Sequence, residues 1–434
     1  MTIEIELKFI ATPQAAERLG NQLAAWPHQY SAPLALTNTY FETPDNQLRR
    51  WDMGLRIRGI NETWEMTLKV AGQTLGGLHQ RPEYNVALTQ PELDIARLPT
   101  EIWPEGCDLN ALQQQLKPLF TTHFKRERWL VTYGNSEIEV ALDRGEVSAG
   151  EFSEPLQEIE LELKQGDLAD VLALAAELGQ AEGLRLGSLS KAARGYWLAQ
   201  GKPQQPVRPL PILQPKPKAT VEEGLQAALT LALKQWQYHE ELWLRGDTAA
   251  RAAILEALET VRQTFTLFGS LVPRKASNGL RQKLTGLIET LENTQPTAQE
   301  MCYSAQWLDA QLTFTSWLIN AGWQPFIDQK NAARLQGSFK RFADIMLGRV
   351  AADLKETFMT IRQHNEYLDK LTRLSRQLLA VHLLAGAYPA HDVANWLQPW
   401  QQLAQAIQTD RYHELDQLCR QALRQPAFWL NGNV

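Results

Sequence analysis

Strict alternation of apolar and charged residues opens the chain. In the segment "IEIELKF", Glu4, Glu6 and Lys8 alternate with apolar side chains. Successive side chains of a β-strand point to opposite faces, so this pattern predicts a strand with one apolar and one charged face. Similar patterns predict strands at 3–9, 54–60, 63–70, 79–87, 124–133, 136–143 and 156–164, with helices near 13–25 and 167–180. Gly and Asn turn residues between these runs favour a largely antiparallel sheet or barrel.

A proline-rich segment separates two halves of the chain that differ in sequence pattern. Six prolines lie between positions 203 and 217, a density that favours an extended, semi-rigid spacer. After it, apolar residues recur at three- and four-residue spacing among good helix formers, which predicts an all-α helical bundle. We therefore predict a first domain at 1–200, a proline-rich linker at 201–218 and a helical domain at 219–434, each able to fold on its own core.

Composition narrows the class of protein. The 434 residues are 44% hydrophobic and 21% charged, as in soluble globular proteins. No apolar run of roughly 18 residues lacks charge, and the acidic N-terminus differs from a signal peptide. The cysteines Cys107, Cys302 and Cys419 are far apart and form no CxxC pair, which argues against a zinc site or a disulfide framework. We expect a cytoplasmic protein with no membrane partner.

Charge is concentrated on one face of each strand predicted in the first domain. Residues 1–200 carry 18 basic and 28 acidic side chains, whereas the rest of the chain carries 25 and 21. The groups that share a face are Glu4, Glu6 and Lys8; Arg56 and Arg58; Glu65 and Lys69; Arg81 and Glu83; Arg126 and Arg128; Glu137, Glu139 and Asp143; and Glu158, Glu160 and Glu162. A sandwich with solvated polar faces fits this pattern, and so does a barrel whose inward faces are polar.

An eight-stranded barrel would enclose an interior of ligand size. Unpaired ions in such an interior cost several kcal/mol each, so the charges must meet each other, water, metal ions or a charged ligand. Basic residues from several strands suit phosphate oxygens, and carboxylates at i, i+2 spacing suit Mg²⁺ or Mn²⁺. No GxxxxGK[ST] motif is present, which excludes a P-loop as the phosphate-binding element.

The first domain resembles the CYTH family, the triphosphate tunnel metalloenzymes. "IEIELKF" matches the Glu-x-Glu-x-Lys signature of that family, and the match continues in order through "RIR", "TLK", "RPE", "FTTHFKR", "LDRGE", "EIELELK" and "SLSKAARGYWL". The second half is similar to a CHAD domain. The resemblance implies an α+β protein: an eight-stranded antiparallel β-tunnel with flanking helices, followed by an all-α CHAD bundle. It also implies metal-dependent hydrolysis of inorganic triphosphate to pyrophosphate and phosphate.

The resemblance and the residue chemistry together imply specific roles. The expected metal ligands, for Mg²⁺ or Mn²⁺, are Glu4, Glu6, Glu158, Glu160 and Glu162, with the choice among the last three open. Phosphate oxygens are expected to contact Lys8, Arg56, Arg58, Lys69, Arg81, Arg126, Arg128 and Lys191. Glu4, Glu6, Lys8, Arg56 and Arg58 are the expected catalytic residues. Glu83, Glu139 and Asp143 are expected to orient basic side chains or to support a second metal ion.

Several alternatives stay open at this point. Lys125 alternates with Arg126, so it is expected on the solvent face. Lys191 begins a predicted helix, where Ser190 is a suitable cap, and the lysine is either solvated or directed at phosphate.

In the helical half, a stripe of Lys370, Arg373 and Arg376 favours a solvated face over polyanion binding. For function, the alternatives are a tunnel enzyme acting on nucleoside or thiamine triphosphate, an adenylate cyclase, or a non-catalytic polyphosphate-binding protein. The complete set of candidate acidic metal ligands favours an enzyme over a non-catalytic binding protein. Inorganic triphosphate and polyphosphate are the expected partners, with no nucleic acid.

Overall fold

The computed structural model describes residues 2–430. Ten strands are found there: β1 Thr2–Ala11, β2 His28–Glu42, β3 Gly54–Ile60, β4 Thr63–Lys69, β5 Gln73–Leu75, β6 Leu78–Leu88, β7 Lys117–Tyr133, β8 Ser136–Ala149, β9 Phe152–Gln165 and β10 Leu184–Leu186. The helices interspersed with them are α1 Pro13–Leu23, α2 Gln47–Arg50, α3 Leu109–Gln115, α4 Leu168–Leu178 and α5 Lys191–Ala199. The seven predicted strands and both predicted helices of this half are confirmed.

The remainder of the described chain is helical. Its helices are α6 Val221–Leu244, α7 Ala250–Leu267, α8 Asn278–Thr294, α9 Ala298–Cys302, α10 Ala305–Ile319, α11 Gln329–Leu335, α12 Phe339–Met359, α13 Asn365–Leu384, α14 Ala390–Gln408 and α15 Leu415–Leu423. Helix α6 begins at a capping box, in which the side chains of Thr220 and Glu223 satisfy each other's backbone N–H groups. None of the helices within 2–430 is long and apolar enough to cross a membrane.

Eight antiparallel strands close into a barrel. Strand order is β1-β9-β8-β7-β2-β3-β4-β6, and β1 also pairs with β6, so the sheet has no free edge between them. The short strands β5 and β10 extend the pairing of β6 and β1. Outward-facing residues such as Leu7 and Leu161 are fully buried, because α1 and α4 pack against β1 and β9. The predicted fold class, a closed eight-stranded barrel followed by a helical region, is confirmed.

Strand β2 was not predicted from the sequence. Its tunnel-facing positions carry Leu34, Leu36 and Tyr40, so the apolar and charged alternation seen in the other strands is missing. Pro33 also interrupts the pattern, and it lies where the pairing of β2 with β7 shifts register between Ser31 and Leu34. Proline is tolerated at such irregular positions because no ladder hydrogen bond is required from its nitrogen.

Helix α5 closes one end of the barrel. Phe120 and Tyr40 belong to the tunnel-facing sides of β7 and β2, and they form a buried apolar cluster with Tyr196 and Leu198 of α5. The helix approaches closely because Gly195 lacks a side chain: a Cβ there would lie 2.0 Å from Phe120 Cδ2. The tunnel therefore has one end filled by apolar packing.

The chain divides into two compact units. One holds the chain through Gln205 together with Thr297–Thr315, and the other holds Pro206–Pro296 and the chain from Ser316 onward. Within the first unit, the Gly183 N–H donates to the Tyr303 carbonyl oxygen at 2.8 Å, and Leu308 packs against Gly179. The second unit has its own apolar core, in which Trp236, Phe268 and Phe339 are almost completely buried.

Candidate active site

The barrel encloses a cavity of about 320 Å³ whose wall is mostly charged. All eight residues predicted to contact phosphate line it: Lys8, Arg56, Arg58, Lys69, Arg81, Arg126, Arg128 and Lys191. Four of the five predicted metal ligands, Glu4, Glu6, Glu160 and Glu162, line it as well. Glu158 lies behind this wall and is completely buried, and Lys125 is exposed on the outer face.

Exposure of the basic side chains distinguishes the two ends of the tunnel. The side chains of Lys8 and Lys191 are 3% and 7% exposed, near the end that α5 fills. At the other end, the side chains of Arg128 and Lys164 are 40% and 39% exposed. The tunnel thus has a blind end at α5 and an open end at Arg128 and Lys164.

Lys191 occupies the centre of an acidic cluster at the blind end. Carboxylate oxygens of Asp143, Glu158 and Glu160 lie within 4.8 Å of one another, a spacing that suits a metal ion. The Lys191 ammonium, however, lies 2.8, 2.8 and 2.7 Å from these three carboxylates. Ser190 caps α5 by accepting from the Ala193 N–H, which places Lys191 at the first helical position. The solvated interpretation of Lys191 is therefore wrong, although the predicted cap is present.

Other basic side chains also neutralise the negative charge of this cluster. Arg126 binds Asp143 through two hydrogen bonds of 2.7 Å and Glu160 through one of 2.6 Å. Lys8 lies 3.5–3.9 Å from Glu160, Glu158 and Glu6. Burial by itself raises the pKa of Glu158, but Lys191, Lys8 and Arg194 together lower it to about 2. The carboxylates at the blind end are thus already paired with basic side chains.

Arg194 supports this cluster from outside the cavity. Its Nε donates to Glu154 at 2.6 Å and its Nη1 donates to Glu158 at 3.2 Å. These bonds attach α5 to β9 and hold Glu158 Oε1, whereas Lys191 contacts Oε2. Arg194 was not predicted from the sequence, because its interactions depend on where α5 packs.

Two tunnel arginines, in contrast, have no carboxylate partner. Within residues 2–430, no carboxylate oxygen lies within 4.0 Å of the guanidinium of Arg56 or Arg58. Arg56 Nη1 donates to the Tyr40 hydroxyl at 3.4 Å and its buried Nε has no hydrogen-bond partner, while Arg58 Nε donates to Asn38 at 2.9 Å. Burial, Arg56 and Arg126 lower the pKa of Arg58 to about 10. Burial disfavours the charge of Arg56 as well, although Tyr40, Glu83 and Glu4 raise its pKa overall. Neither arginine has a carboxylate in salt-bridge contact, so this wall suits an anionic ligand.

Carboxylates accumulate toward the open end. Burial, followed by the nearby Glu160, raises the pKa of Glu6 to about 7. Burial also raises the pKa of Glu162, with further contributions from Glu4 and Glu139. In each case, nearby negative charge disfavours ionisation, which an added cation would reverse.

Four carboxylates at this end are paired with basic side chains. Lys69 donates to Glu4, and it lies 3.4 Å from Glu83. Arg128 lies 3.7 Å from Glu139, and Lys164 lies 2.7 Å from Glu162. Among the residues that the structure describes, Glu4, Glu6 and Glu162 are not gathered at the spacing of a ligand set.

Tyr40, Asn38, His79 and Lys164 take part in the tunnel but were absent from the predictions. Tyr40 and Asn38 belong to the unpredicted strand β2, so no signal marked them. His79 Nε2 lies 3.0 Å from the Gly187 carbonyl oxygen, and burial together with Lys8 lowers its pKa to about 4. Lys164 follows Glu162 by two residues on the same strand face, a spacing that was visible in the sequence.

The basic stripe predicted in the helical half is largely ion-paired. Arg373 of α13 binds Asp353 of α12, with one hydrogen bond of 3.0 Å, and Arg376 lies 3.7 Å from Glu259 of α7. These side chains are half-exposed, which is typical of a solvated helix face laced with ion pairs.

Family comparisons agree with this architecture. Residues 2–196 match the CYTH domain and residues 227–421 match the CHAD domain. The chain therefore belongs to the proteins in which a CYTH domain is followed by a CHAD domain.

More particularly, the chain is 40% identical over 199 residues to an inorganic triphosphatase from Haemophilus influenzae. The aligned region is 46% of this chain and 55% of that relative, so the chain spans about half the length of the curated protein that it matches.

Solved structures resemble each half separately. A Hippeastrum protein, described as a candidate adenylyl cyclase with a dominant triphosphatase activity, is 20% identical; it covers 46% of this chain and 97% of its own, with a TM-score of 0.33. A CHAD domain from Ricinus communis is 16% identical and covers 50% of this chain and 84% of its own, with a TM-score of 0.34.

Proposed function

We propose that the tunnel hydrolyses inorganic triphosphate to pyrophosphate and phosphate with the help of a divalent cation. The observation that carries this proposal is the pair of arginines, Arg56 (buried) and Arg58 (partly buried), which line the cavity without a carboxylate partner of their own. A polyanion would supply the missing negative charge. The inorganic triphosphatase that resembles the CYTH half supports the choice of a triphosphate.

Substrate phosphates would be held by donors from most sides of the barrel. No carboxylate competes with phosphate oxygens for Arg56 and Arg58, and arginine can bind phosphate with two parallel hydrogen bonds. The remaining phosphate contacts are assigned to Lys8, Lys69, Arg81, Arg126, Arg128 and Lys191. Because α5 fills the other end, a chain of phosphates enters from the open end and stops near Lys191.

A divalent cation fits the carboxylates toward the open end. Glu4, Glu6 and Glu162 offer oxygen ligands, which Mg²⁺ and Mn²⁺ prefer. Burial, followed by the nearby Glu160, raises the pKa of Glu6, and a bound cation would favour its ionised form. The spacing of Asp143, Glu158 and Glu160 also suits a metal, but Lys191 already supplies a cation between them. We therefore assign Glu162, rather than Glu158 or Glu160, as the partner of Glu4 and Glu6. When bound, the cation would neutralise phosphate oxygens and activate a water molecule.

The protein's own contribution is positioning and charge stabilisation. Phosphoryl transfer spreads negative charge over the equatorial oxygens of the transferred group, and little covalent chemistry is asked of the protein. Lys8, Arg56 and Arg58 are placed to stabilise that charge from fixed positions in a cavity that excludes bulk water. Arg126 and Lys191, each bound to buried carboxylates, give the blind end a rigid geometry.

The test is phosphate release from tripolyphosphate, ATP, thiamine triphosphate and long-chain polyphosphate in the presence of Mg²⁺. We expect tripolyphosphate to be the preferred substrate, with activity abolished by EDTA and by Glu6→Gln while circular dichroism stays unchanged. Lys125→Met, on the outer face of β7, is the matched control and should retain full activity. Preference for ATP or thiamine triphosphate would replace the substrate assignment, and full activity in EDTA would refute the metal assignment.

A further inference from the structure

Every carboxylate that we assign to the open end is paired with a basic residue that lines the same cavity; for Glu6 the partner is Lys8, at 3.9 Å. Lys69 holds Glu4, Arg128 faces Glu139, and Lys164 lies 2.7 Å from Glu162. A carboxylate paired in this way is less available to a metal ion, and a lysine paired in this way is less available to phosphate. Each pair therefore blocks two proposed interactions at once.

Lys164 is the member of these pairs whose role the CYTH resemblance did not assign. It lies near the end of β9, lines the cavity, and its side chain is 39% exposed. The opposite end of the tunnel is filled by α5, so any ligand that enters from solvent passes the level of Lys164. Its charge sits beside the carboxylates and not among the buried arginines.

The surroundings of Glu162 explain why the lysine is held there. Glu4 and Glu139 carry the same negative charge as Glu162 and therefore repel it. The Lys164 ammonium offsets part of this repulsion in the ligand-free chain. A divalent cation offers the same carboxylates twice the charge in one position, so it competes with the ammonium for Glu162.

We propose that Lys164 is a further phosphate-binding residue that Glu162 holds in reserve, and that it is released when Glu162 takes a divalent cation. This inference rests on the proposed function, because it assumes that Glu162 is a metal ligand and that a triphosphate is the substrate. Released from Glu162, Lys164 remains at the open end, within the wall that the entering phosphates contact. Metal and triphosphate then favour each other's binding, since each removes the partner that blocks the other.

The size of the effect is limited by solvent. The side chains of Lys164 and Glu162 are 39% and 25% exposed, and exposed ion pairs are weakened by water and salt. We therefore expect changes in affinity of about two- to five-fold when the pair is broken.

The first measurement is calorimetric titration with Mn²⁺ alone. Lys164→Met should bind Mn²⁺ about two- to five-fold more tightly than the unmodified chain, because Glu162 loses its competitor. Glu162→Gln should bind it more weakly. In the double variant, the lysine substitution should have no further effect, because the carboxylate for which it competed is gone.

The second measurement is titration with tripolyphosphate alone in EDTA. Here the signs reverse: Lys164→Met should bind about two- to five-fold more weakly, and Glu162→Gln should bind more tightly because the lysine is free. Opposite signs for the two ligands are not expected from a general structural defect. Lys125→Met, which removes an exposed lysine from the outer face of β7, should change neither affinity.

The outcomes separate the inference from the proposed function. If Lys164→Met changes neither affinity, Lys164 is a surface ion-pair partner and the inference is overturned. If Glu162→Gln leaves Mn²⁺ affinity unchanged, the metal assignment fails, and the release of Lys164 by metal fails with it. If the unmodified chain binds no tripolyphosphate, the proposed function itself is refuted.

Discussion

Arg56 and Arg126 line the same tunnel in opposite electrostatic settings. Arg126 is bound by Asp143 and Glu160, so its charge is compensated inside the protein. Arg56 is equally buried but meets the Tyr40 hydroxyl instead of a carboxylate. A buried ion that lacks a partner lowers stability, and a buried pair that loses one member lowers it further. The two arginines should therefore respond differently to the same substitution.

Arg56→Met should lower kcat/KM for tripolyphosphate by about 10²–10³-fold, as expected for a lost transition-state donor. The free energy of unfolding should stay the same or rise, because no carboxylate loses its partner. Arg126→Met should also reduce activity, but it should lower the free energy of unfolding by about 3–5 kcal/mol, because Asp143 and Glu160 lose a buried partner.

Steady-state kinetics and urea unfolding of both variants provide the comparison. A large loss of stability in Arg56→Met would show that Arg56 has a structural role that its contacts do not reveal. Unchanged kinetics in that variant would remove it from the phosphate-binding wall.

Helix α5 has two roles in the tunnel: it fills one end of the barrel, and it carries Lys191. Its position is fixed by Gly195 on Phe120, by Arg194 on Glu154 and by the hydrogen bond from the Tyr196 hydroxyl to Glu42. The carboxylate of Glu42 also caps the backbone N–H groups of Leu48 and Arg49, so α2 and α5 share one anchor. Movement of α5 along the barrel would displace Lys191 from the three carboxylates that it joins.

Gly195→Ala should push α5 away from Phe120, since the added Cβ has no room. Overpacking of this kind typically costs about 1–3 kcal/mol, and a shift of about 1 Å at Lys191 should reduce kcat/KM by about ten- to a hundredfold. Gly279→Ala, in the helix α8 where nothing lies within 4 Å of an added Cβ, is the control and should be neutral or slightly stabilising. Thermal unfolding and kinetics measure both effects; normal activity in Gly195→Ala would mean that α5 adjusts without moving Lys191.

At the scale of the whole molecule, the first unit includes a segment that follows the proline-rich stretch by about eighty residues. Thr297–Thr315 contributes Tyr303, which accepts from the Gly183 N–H, and Leu308, which packs on Gly179. Both glycines border β10, which pairs with β1. All the tunnel residues, however, lie before Gln205.

A fragment of residues 1–205 should therefore retain triphosphate hydrolysis but lose local stability around β10. We expect amide hydrogen exchange at 179–186 to accelerate relative to the full chain, while β7 and β8 stay protected. A synthetic peptide of residues 297–315, added in excess, should restore part of the protection. Unchanged exchange in the fragment would show that the segment is dispensable, and an inactive, folded fragment would show that the site needs the rest of the chain.

The sequence by itself determined which side chains face the tunnel. The side-chain period of a strand is fixed by backbone geometry, so alternation in "IEIELKF" or "EIELELK" assigns each residue to a face without knowledge of its neighbours. The seven predicted phosphate contacts that lie on strands line one cavity for this reason. The helical half could also be predicted from the sequence, because the three- and four-residue spacing of apolar residues in a helix is likewise a local pattern.

Only the tertiary structure decided which charges meet. Lys191 reaches Asp143, Glu158 and Glu160 because helix α5 fills the barrel end, and no spacing in the sequence encodes that position. Arg56 and Arg58 lack carboxylates, although Glu65 and Glu83 lie on neighbouring strands of the same sheet. Strand β2 was not predicted from the sequence because its inward face is apolar where α5 packs. Such pairings depend on barrel closure and strand register, which join residues far apart in the chain, and local periodicity carries no information about them.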